Sequence, residues 1–284
     1  MTTSREARSD LSFVIPNSTN QAHQTGTTEQ RTDPDSHRNQ HSQKCLSQFN
    51  FICLATKKNL HGKLVLITGA GGGIGRELAK SFALLGSRLI LWDANADANE
   101  QSAKECRKIG AEVTTNNIDI TDRDAVYCLA AKIQEQLGPL DVLVNNAGLL
   151  NNSSLLDTLD HKIEALFDVN TMALFWTTKA FLPSMLEQKS GHLVCMSSVA
   201  GIIGAPGLVD YSTSKFAAFG FMEALEHELR LQGHLDIHSL PADYQQLKLL
   251  KPEYVARRVV EAVQINQRVL MLPTEIYWAY AAKG

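Results

Sequence analysis

From Lys63 onward, short apolar runs alternate with stretches whose apolar residues recur every three or four positions. Leu64-Val65-Leu66-Ile67 is a continuous apolar run, the pattern of a strand buried on both faces. A Gly-rich turn follows, then Arg76–Leu85 at helical spacing, closed by Gly86. Arg88-Leu89-Ile90-Leu91-Trp92 reads as a second strand and Glu112-Val113-Thr114 as a third, with a helix at about 97–109 between them. A helix at about 122–137 leads to Asp141-Val142-Leu143-Val144, and a long helix at about 160–188 leads to His192-Leu193-Val194-Cys195-Met196. Helices at about 211–232 and 253–265 and a strand at Val269-Leu270-Met271-Leu272 complete the pattern. Strands and helices that alternate over short links predict an α/β fold, a doubly wound parallel sheet in a single domain spanning 63–284.

Residues 1–46 break this pattern. They hold nine hydrophobic residues, and their five basic and five acidic side chains cancel. Such a segment cannot bury enough apolar surface to offset its ordering entropy, so a disordered polar tail is expected at 1–46 and a linker at 47–62. His23, His37 and His41 have no Cys partner and no tight spacing, and they read as solvated rather than metal-binding.

The 284 residues carry 27 basic and 30 acidic side chains, a net charge of −3 that offers no basic field for nucleic acid. The five cysteines (45, 53, 106, 128, 195) form no C-x-x-C and no zinc spacing, so they read as reduced thiols with no metal site. No apolar run reaches the roughly 18–20 residues needed to span a bilayer.

The turn after the first strand is Thr68-Gly69-Ala70-Gly71-Gly72-Gly73-Ile74-Gly75. At this place in a Rossmann-type unit, free backbone N–H groups and the positive end of the next helix would face a pyrophosphate. Gly69 would permit the tight turn, Gly73 the close approach of phosphate, and Gly75 the packing of helix on strand. Asp93 ends the second strand, 18 residues after Gly75, where a carboxylate accepts hydrogen bonds from the adenosine ribose and repels a 2′-phosphate. With no Lys or Arg between Thr68 and Gly75, NAD is favoured over NADP. Asp119-Ile120 could hold the adenine by one polar and one apolar contact, or Asp119 could cap the next helix.

Tyr211-Ser212-Thr213-Ser214-Lys215 sets Tyr211 and Lys215 at i and i+4 on one helix face. A free Tyr has a pKa of about 10, and a nearby ammonium in a partly desolvated site favours the phenolate. Ser198, 13 residues upstream, falls at the end of the fifth strand, where ligands bind in this architecture. Ser197 points to the other face of that strand.

Together these residues resemble the short-chain dehydrogenase/reductase family. The matching set is Thr68-Gly69-x-x-x-Gly73-x-Gly75, Asn145-Asn146-Ala147-Gly148, Asn170, Ser198 and Tyr211-x-x-x-Lys215, covering about residues 60–233 in order. The resemblance implies a tetrad of Asn170, Ser198, Tyr211 and Lys215. In it Tyr211 is the general acid/base, Ser198 hydrogen-bonds the reacting oxygen, and Lys215 holds the nicotinamide ribose and lowers the Tyr211 pKa. Asn170 would position a water linking Lys215 to solvent, and Asn145, Asn146, Ala147 and Gly148 would close the cofactor cleft.

Lys58–Lys63, Ser190–Val194 and Leu250–Ala256 resemble more narrowly the retinol dehydrogenase and 17β-hydroxysteroid dehydrogenase-like subgroup. That resemblance implies hydrophobic alcohols, as well as peripheral contact with endoplasmic reticulum or lipid-droplet membranes from the cytoplasmic side. The apolar stretch Phe216–Met222 could be core, while the family resemblance implies instead that its outer face pairs with a second subunit in a homodimer. Such proteins usually begin with a hydrophobic anchor, whereas this chain begins with the polar tail. They also carry a longer sixth strand and substrate loop than fit between His238 and Lys251, so a shortened substrate loop is expected at about 239–250.

The resulting reading is an oxidoreductase moving a hydride between NAD and a lipophilic alcohol or carbonyl. The alternative is an NAD-binding protein with little turnover because the substrate wall is short. A Rossmann-type methyltransferase does not explain Ser198, Tyr211 and Lys215, and no G-x-S-x-G or H-E-x-x-H supports a hydrolase.

Overall fold

The computed structural model describes residues 57–244, 250–273 and 276. The tail at 1–46 and the first part of the linker lie outside them. Seven parallel strands form one sheet in the order β3-β2-β1-β4-β5-β6-β7. They are β1 Leu64–Thr68, β2 Arg88–Asp93, β3 Val113–Asn117, β4 Val142–Asn145, β5 Gly191–Met196, β6 Ile237–Tyr244 and β7 Leu270–Leu272. The helices are α1 Gly73–Leu84, α2 Ala96–Lys108, α3 Arg123–Leu137, α4 Asp160–Phe167, α5 Ala173–Glu187, α6 Val209–Leu231 and α7 Pro252–Gln264.

Alternation along each strand divides the core. Val65, Ile67, Leu89, Leu91, Val142, Val144 and Val194 face the layer that holds α1 and α7. Leu64, Leu66, Ile90, Trp92, Leu143, Leu193 and Cys195 face the layer that holds α3, α5 and α6. Successive side chains of a strand point to opposite faces, so a sheet covered on both sides needs the continuous apolar runs seen in the sequence. The strand order reverses between β1 and β4, and the carboxyl ends of these strands define the crevice where ligands bind in open α/β sheets.

Three expectations are corrected. The long helix expected at about 160–188 is two helices separated by a π-helical turn at Asp168–Met172. Apolar periodicity continues across that turn and hides the widening. The stretch 239–250, expected as a shortened loop, is strand as far as Tyr244. β6 runs to Tyr244, with Ile237–Ala242 paired to β5 and Ala242–Tyr244 paired to Leu270–Leu272 of β7. Pro241 donates no ladder hydrogen bond and argues against a central strand on sequence grounds. Here it sits opposite Cys195 with strand on both sides. Only residues 245–251 connect β6 to α7. Lastly, the described part of the expected linker is packed. Leu60 is buried in the core, its carbonyl accepts the Ser87 hydroxyl, and Lys58 N–H bonds to the Gln264 carbonyl at 2.8 Å.

Candidate active site at the carboxyl edge of the sheet

The turn from β1 to α1 is built for close approach. Gly69 has φ +64°, and a Cβ there would meet the Ala147 backbone at 2.8 Å. A Cβ on Gly75 would collide with the Gly69 carbonyl and the Asn146 amide, so α1 seats directly on the turn. At Gly73 a Cβ would meet nothing closer than Pro252 Cγ at 3.9 Å, leaving the face beyond it open. No side chain caps the start of α1 and no acidic residue lies in its first turn. An uncapped helix start with open space before it suits a pyrophosphate. Ile74 is half-buried and packs against the core layer of α1 and α7.

Thr68 fastens this turn to the end of β4. Its hydroxyl accepts the backbone N–H groups of Asn146 at 3.0 Å and Ala147 at 3.1 Å. The Asn146 amide in turn donates to the carbonyls of Thr68 at 2.9 Å and Gly69 at 3.1 Å. The roles of Asn145–Gly148 therefore separate. Asn145 points the other way and accepts the Thr177 hydroxyl of α5. Asn146 and Ala147 brace the glycine turn. Gly148 lies where a Cβ would stand 3.2 Å from Asn170 Oδ1 and 3.5 Å from Lys215 Nζ.

Asp93 sits at the end of β2 with both oxygens aimed back at the backbone. Oδ2 accepts Gly71 N–H and Oδ1 accepts Asn95 N–H, each at 2.8 Å. Arg76, just beyond the turn, donates to the Gly71 carbonyl at 3.3 Å and the Ser102 hydroxyl at 3.2 Å, which directs its charge along α2. At the end of β3, Asp119 Oδ1 accepts both the N–H and the hydroxyl of Thr121. The cap of α3 is instead Asp122, which takes the N–H groups of Asp124 and Ala125. Ile120 is buried under α3.

Of the expected tetrad, Tyr211 and Lys215 lie on α6, Ser198 at the turn after β5 and Asn170 in the π turn. Tyr211 and Lys215 are both buried, with Lys215 Nζ 5.7 Å from the Tyr211 ring centroid and donating to the Met196 carbonyl at 2.8 Å. Ser198 begins a short 3-10 turn after β5, and its hydroxyl accepts Ala200 N–H at 3.2 Å. Ser197 is engaged differently, donating to the Lys215 carbonyl at 3.2 Å. Asn170, in the π turn, brackets Leu149: Oδ1 accepts its N–H at 2.7 Å and Nδ2 donates to its carbonyl at 3.0 Å. The same Nδ2 donates to the Ser214 hydroxyl at 3.0 Å. Asn146, Gly148, Leu149, Leu150, Met196, Tyr211 and Lys215 line one cleft of about 80 Å³.

Residues that sequence reasoning had placed on separate elements thus meet at one edge of the sheet. The bracing by Thr68 and Ser214 was missed, because a hydroxyl in a strand or helix carries no spacing signal. Other nucleophile and base candidates fall away. Burial pushes the Cys195 thiol up to about 11, which keeps it protonated. His192 and His238 lie near the amino ends of β5 and β6, away from this edge.

Residues 63–240 match the family described as short chain dehydrogenase. The chain is 40% identical over 245 residues to human epidermal retinol dehydrogenase 2, covering 80% of this chain and 79% of that protein. It is 40% identical over 233 residues to rat estradiol 17-beta-dehydrogenase 11, covering 78% of each chain. The crystal structure of a short chain dehydrogenase/reductase from Burkholderia phymatum in complex with NAD superposes with a TM-score of 0.74 at 26% identity, covering 78% of this chain and 93% of that one. Sequence, strand order and the edge that joins Asn170, Ser198, Tyr211 and Lys215 agree: this chain belongs to the short-chain dehydrogenase family of oxidoreductases.

Proposed function

We propose that this protein is an NAD-dependent dehydrogenase of lipophilic alcohols, retinol- or steroid-like, interconverting them with the carbonyl compound. The observation that carries the reading is the buried Tyr211–Lys215 pair beside the open glycine turn. The relatives named for retinol and estradiol support the substrate class.

Gly69, Gly73, Ile74 and Gly75 would cradle the pyrophosphate, Asp93 would hold the adenosine ribose, and Asp119 and Ile120 would flank the adenine. Asn146, Ala147 and Gly148 would close the cleft, with Asn145 bracing β4 against α5 from the other side, and with Tyr211 and Lys215 at the nicotinamide ribose. NAD bound along this edge would supply the hydride acceptor. Tyr211 takes the hydroxyl proton at its phenolic oxygen. Lys215, a cation in a site screened from water, favours the phenolate and eases that transfer. Ser198 donates a hydrogen bond to the reacting oxygen. Asn170 fixes the Leu149 backbone in the cleft and lies near the amine of Lys215. The choice of NAD over NADP rests on Asp93, whose charge would oppose a 2′-phosphate.

Two further parts of the reading concern partners. A homodimer would bury the exposed apolar side chains Met172 and Phe175, the latter lying against Phe221 of the Phe216–Met222 stretch. Peripheral contact with endoplasmic reticulum or lipid-droplet membranes rests on the subgroup resemblance. Among the described residues, no helix is long and apolar enough to cross a membrane. The polar tail at 1–46 is read as dispensable for folding.

The short 245–251 connection favours a second reading, in which NAD binds and turnover is poor. A closing loop excludes water and orders the substrate, and a misplacement of about 1 Å costs about a hundredfold in rate. A paired measurement of NAD affinity and NADH production, on this chain and on a version with a family-length insertion at 245–251, separates the readings. Poor turnover raised by the insertion at constant NAD affinity supports the second reading for the chain as it stands. Robust turnover by the unmodified chain, abolished by Tyr211→Phe, establishes the first. Absence of NAD binding sinks both.

A further inference from the structure

The segment between β4 and α4 exposes five leucines, Leu149, Leu150, Leu155, Leu156 and Leu159, and is fastened at two points. Asn170 brackets the backbone of Leu149. Two residues on, the Asn151 amide donates to the Lys162 carbonyl in the first turn of α4 at 3.2 Å and to Asp210 Oδ2 at 2.6 Å. Asn152 follows at φ 46°, a left-handed conformation that Asn tolerates and that turns the chain sharply behind this contact.

Asp210 is buried in the first turn of α6, and its other oxygen accepts Tyr211 N–H at 2.7 Å. Leu208, at the cap position, makes no side-chain cap, so the Asp210 carboxylate supplies the acceptor that the helix start needs. One buried carboxylate thereby sets both the helix turn carrying Tyr211 and the segment carrying Leu149 and Leu150. Those two leucines and Tyr211 line the same cleft.

We propose that Asp210 and Asn151 are positioning residues, holding Leu149 and Leu150 against Tyr211 as an apolar wall that selects alcohols with a large hydrocarbon part. The proposal rests on the dehydrogenase reading above.

The test uses the full chain as Asn151→Ala, Asp210→Asn, Asn151→Asp and the double variant Asn151→Asp/Asp210→Asn, which reverses donor and acceptor across the same contact. Losing a hydrogen bond to a charged group corresponds to about a tenfold effect. Retinol affinity in the presence of NAD, read by fluorescence, should fall about tenfold in each single variant. The ratio of kcat/KM for retinol to that for 2-propanol should fall alike. NAD affinity should stay within about twofold, and the double variant should recover retinol affinity to within about threefold. A general loss of structure would not be rescued by swapping the two groups. Unchanged retinol affinity in Asn151→Ala, or an equal loss of NAD and retinol binding without rescue, overturns the proposal. If the unmodified chain neither binds retinol nor oxidises any alcohol, the dehydrogenase reading fails instead. Hydrogen exchange across 148–159 then decides the fastening: faster exchange in the single variants, restored in the double, supports it, and equal exchange in all overturns it.

Discussion

Asp93 Oδ2 accepts the backbone N–H of Gly71 at 2.8 Å, joining the end of β2 to the glycine turn after β1. The carboxylate proposed to select the cofactor is therefore also a brace of the glycine turn. Asp93→Ala should relax discrimination against NADP and also lower stability by about 1–2 kcal/mol, since two backbone donors lose an acceptor. Asp93→Asn, which keeps acceptor capacity, should relax discrimination with a smaller loss. Calorimetric affinities for both cofactors, with urea unfolding, check this. Tighter NADP than NAD binding by the unmodified protein would show that Asp93 does not set the preference.

Gly75→Ala should abolish measurable NAD binding or reduce it at least tenfold. The added methyl meets the Gly69 carbonyl and the Asn146 amide, both held by other hydrogen bonds, so helix and turn must separate. Gly73→Ala meets only Pro252 Cγ, at an ordinary contact distance of 3.9 Å, so it should leave stability within about 0.5 kcal/mol while still weakening NAD. Thermal unfolding and cofactor titration of the two variants distinguish packing from cofactor approach.

Tyr211→Phe should lower kcat by about 10²–10⁴ with NAD affinity nearly unchanged, the range for loss of a general acid/base. Lys215→Met should lower kcat and move the alkaline-side activation of the pH–rate profile upward, because the cation favouring the phenolate is gone. It also leaves the buried Met196 carbonyl without its donor, so some loss of stability should accompany it. Identical pH profiles for Lys215→Met and the unmodified protein would remove Lys215 from the proton-transfer role.

His192 and His238 stand side by side on β5 and β6 with ring centroids 5.7 Å apart. Neither ring nitrogen of His192 has a hydrogen-bond partner among the described residues. Burial drives the His192 pKa well below 6.5, and burial followed by the Lys58 charge lowers that of His238 to about 4. The unfolded chain then binds more protons below its own pKa of about 6.5. Stability should be full above that pH and fall as pH drops from 6.5 towards 4. Urea unfolding at pH 7.5 and 5.0 measures the slope, and His192→Leu should flatten it. An unchanged slope in that variant would assign the acid sensitivity elsewhere.

The strand and helix alternation was legible from residue 63 onward because each strand is buried on both faces and each helix on one, which leaves a strong apolar period. The family motif was legible too, since glycines that cannot carry a Cβ and a Tyr and Lys one helical turn apart must keep fixed spacing. The sequence alone therefore determined the fold class and the residues that gather at the sheet edge. Tertiary structure decided what each of them touches. Asn145 and Asn146 are adjacent in sequence yet brace opposite sides of β4, because successive strand residues point to opposite faces. Pro241 reads as a break but sits within β6, its neighbours held by β5 and β7. The π turn at Asn170 leaves the apolar period intact, so only backbone geometry reveals it. Asn151 and Asp210, 59 residues apart, meet only once the sheet has brought α6 beside the β4 crevice. Contacts between distant polar residues leave no periodicity, because a hydrogen bond depends on where the packed elements place two atoms.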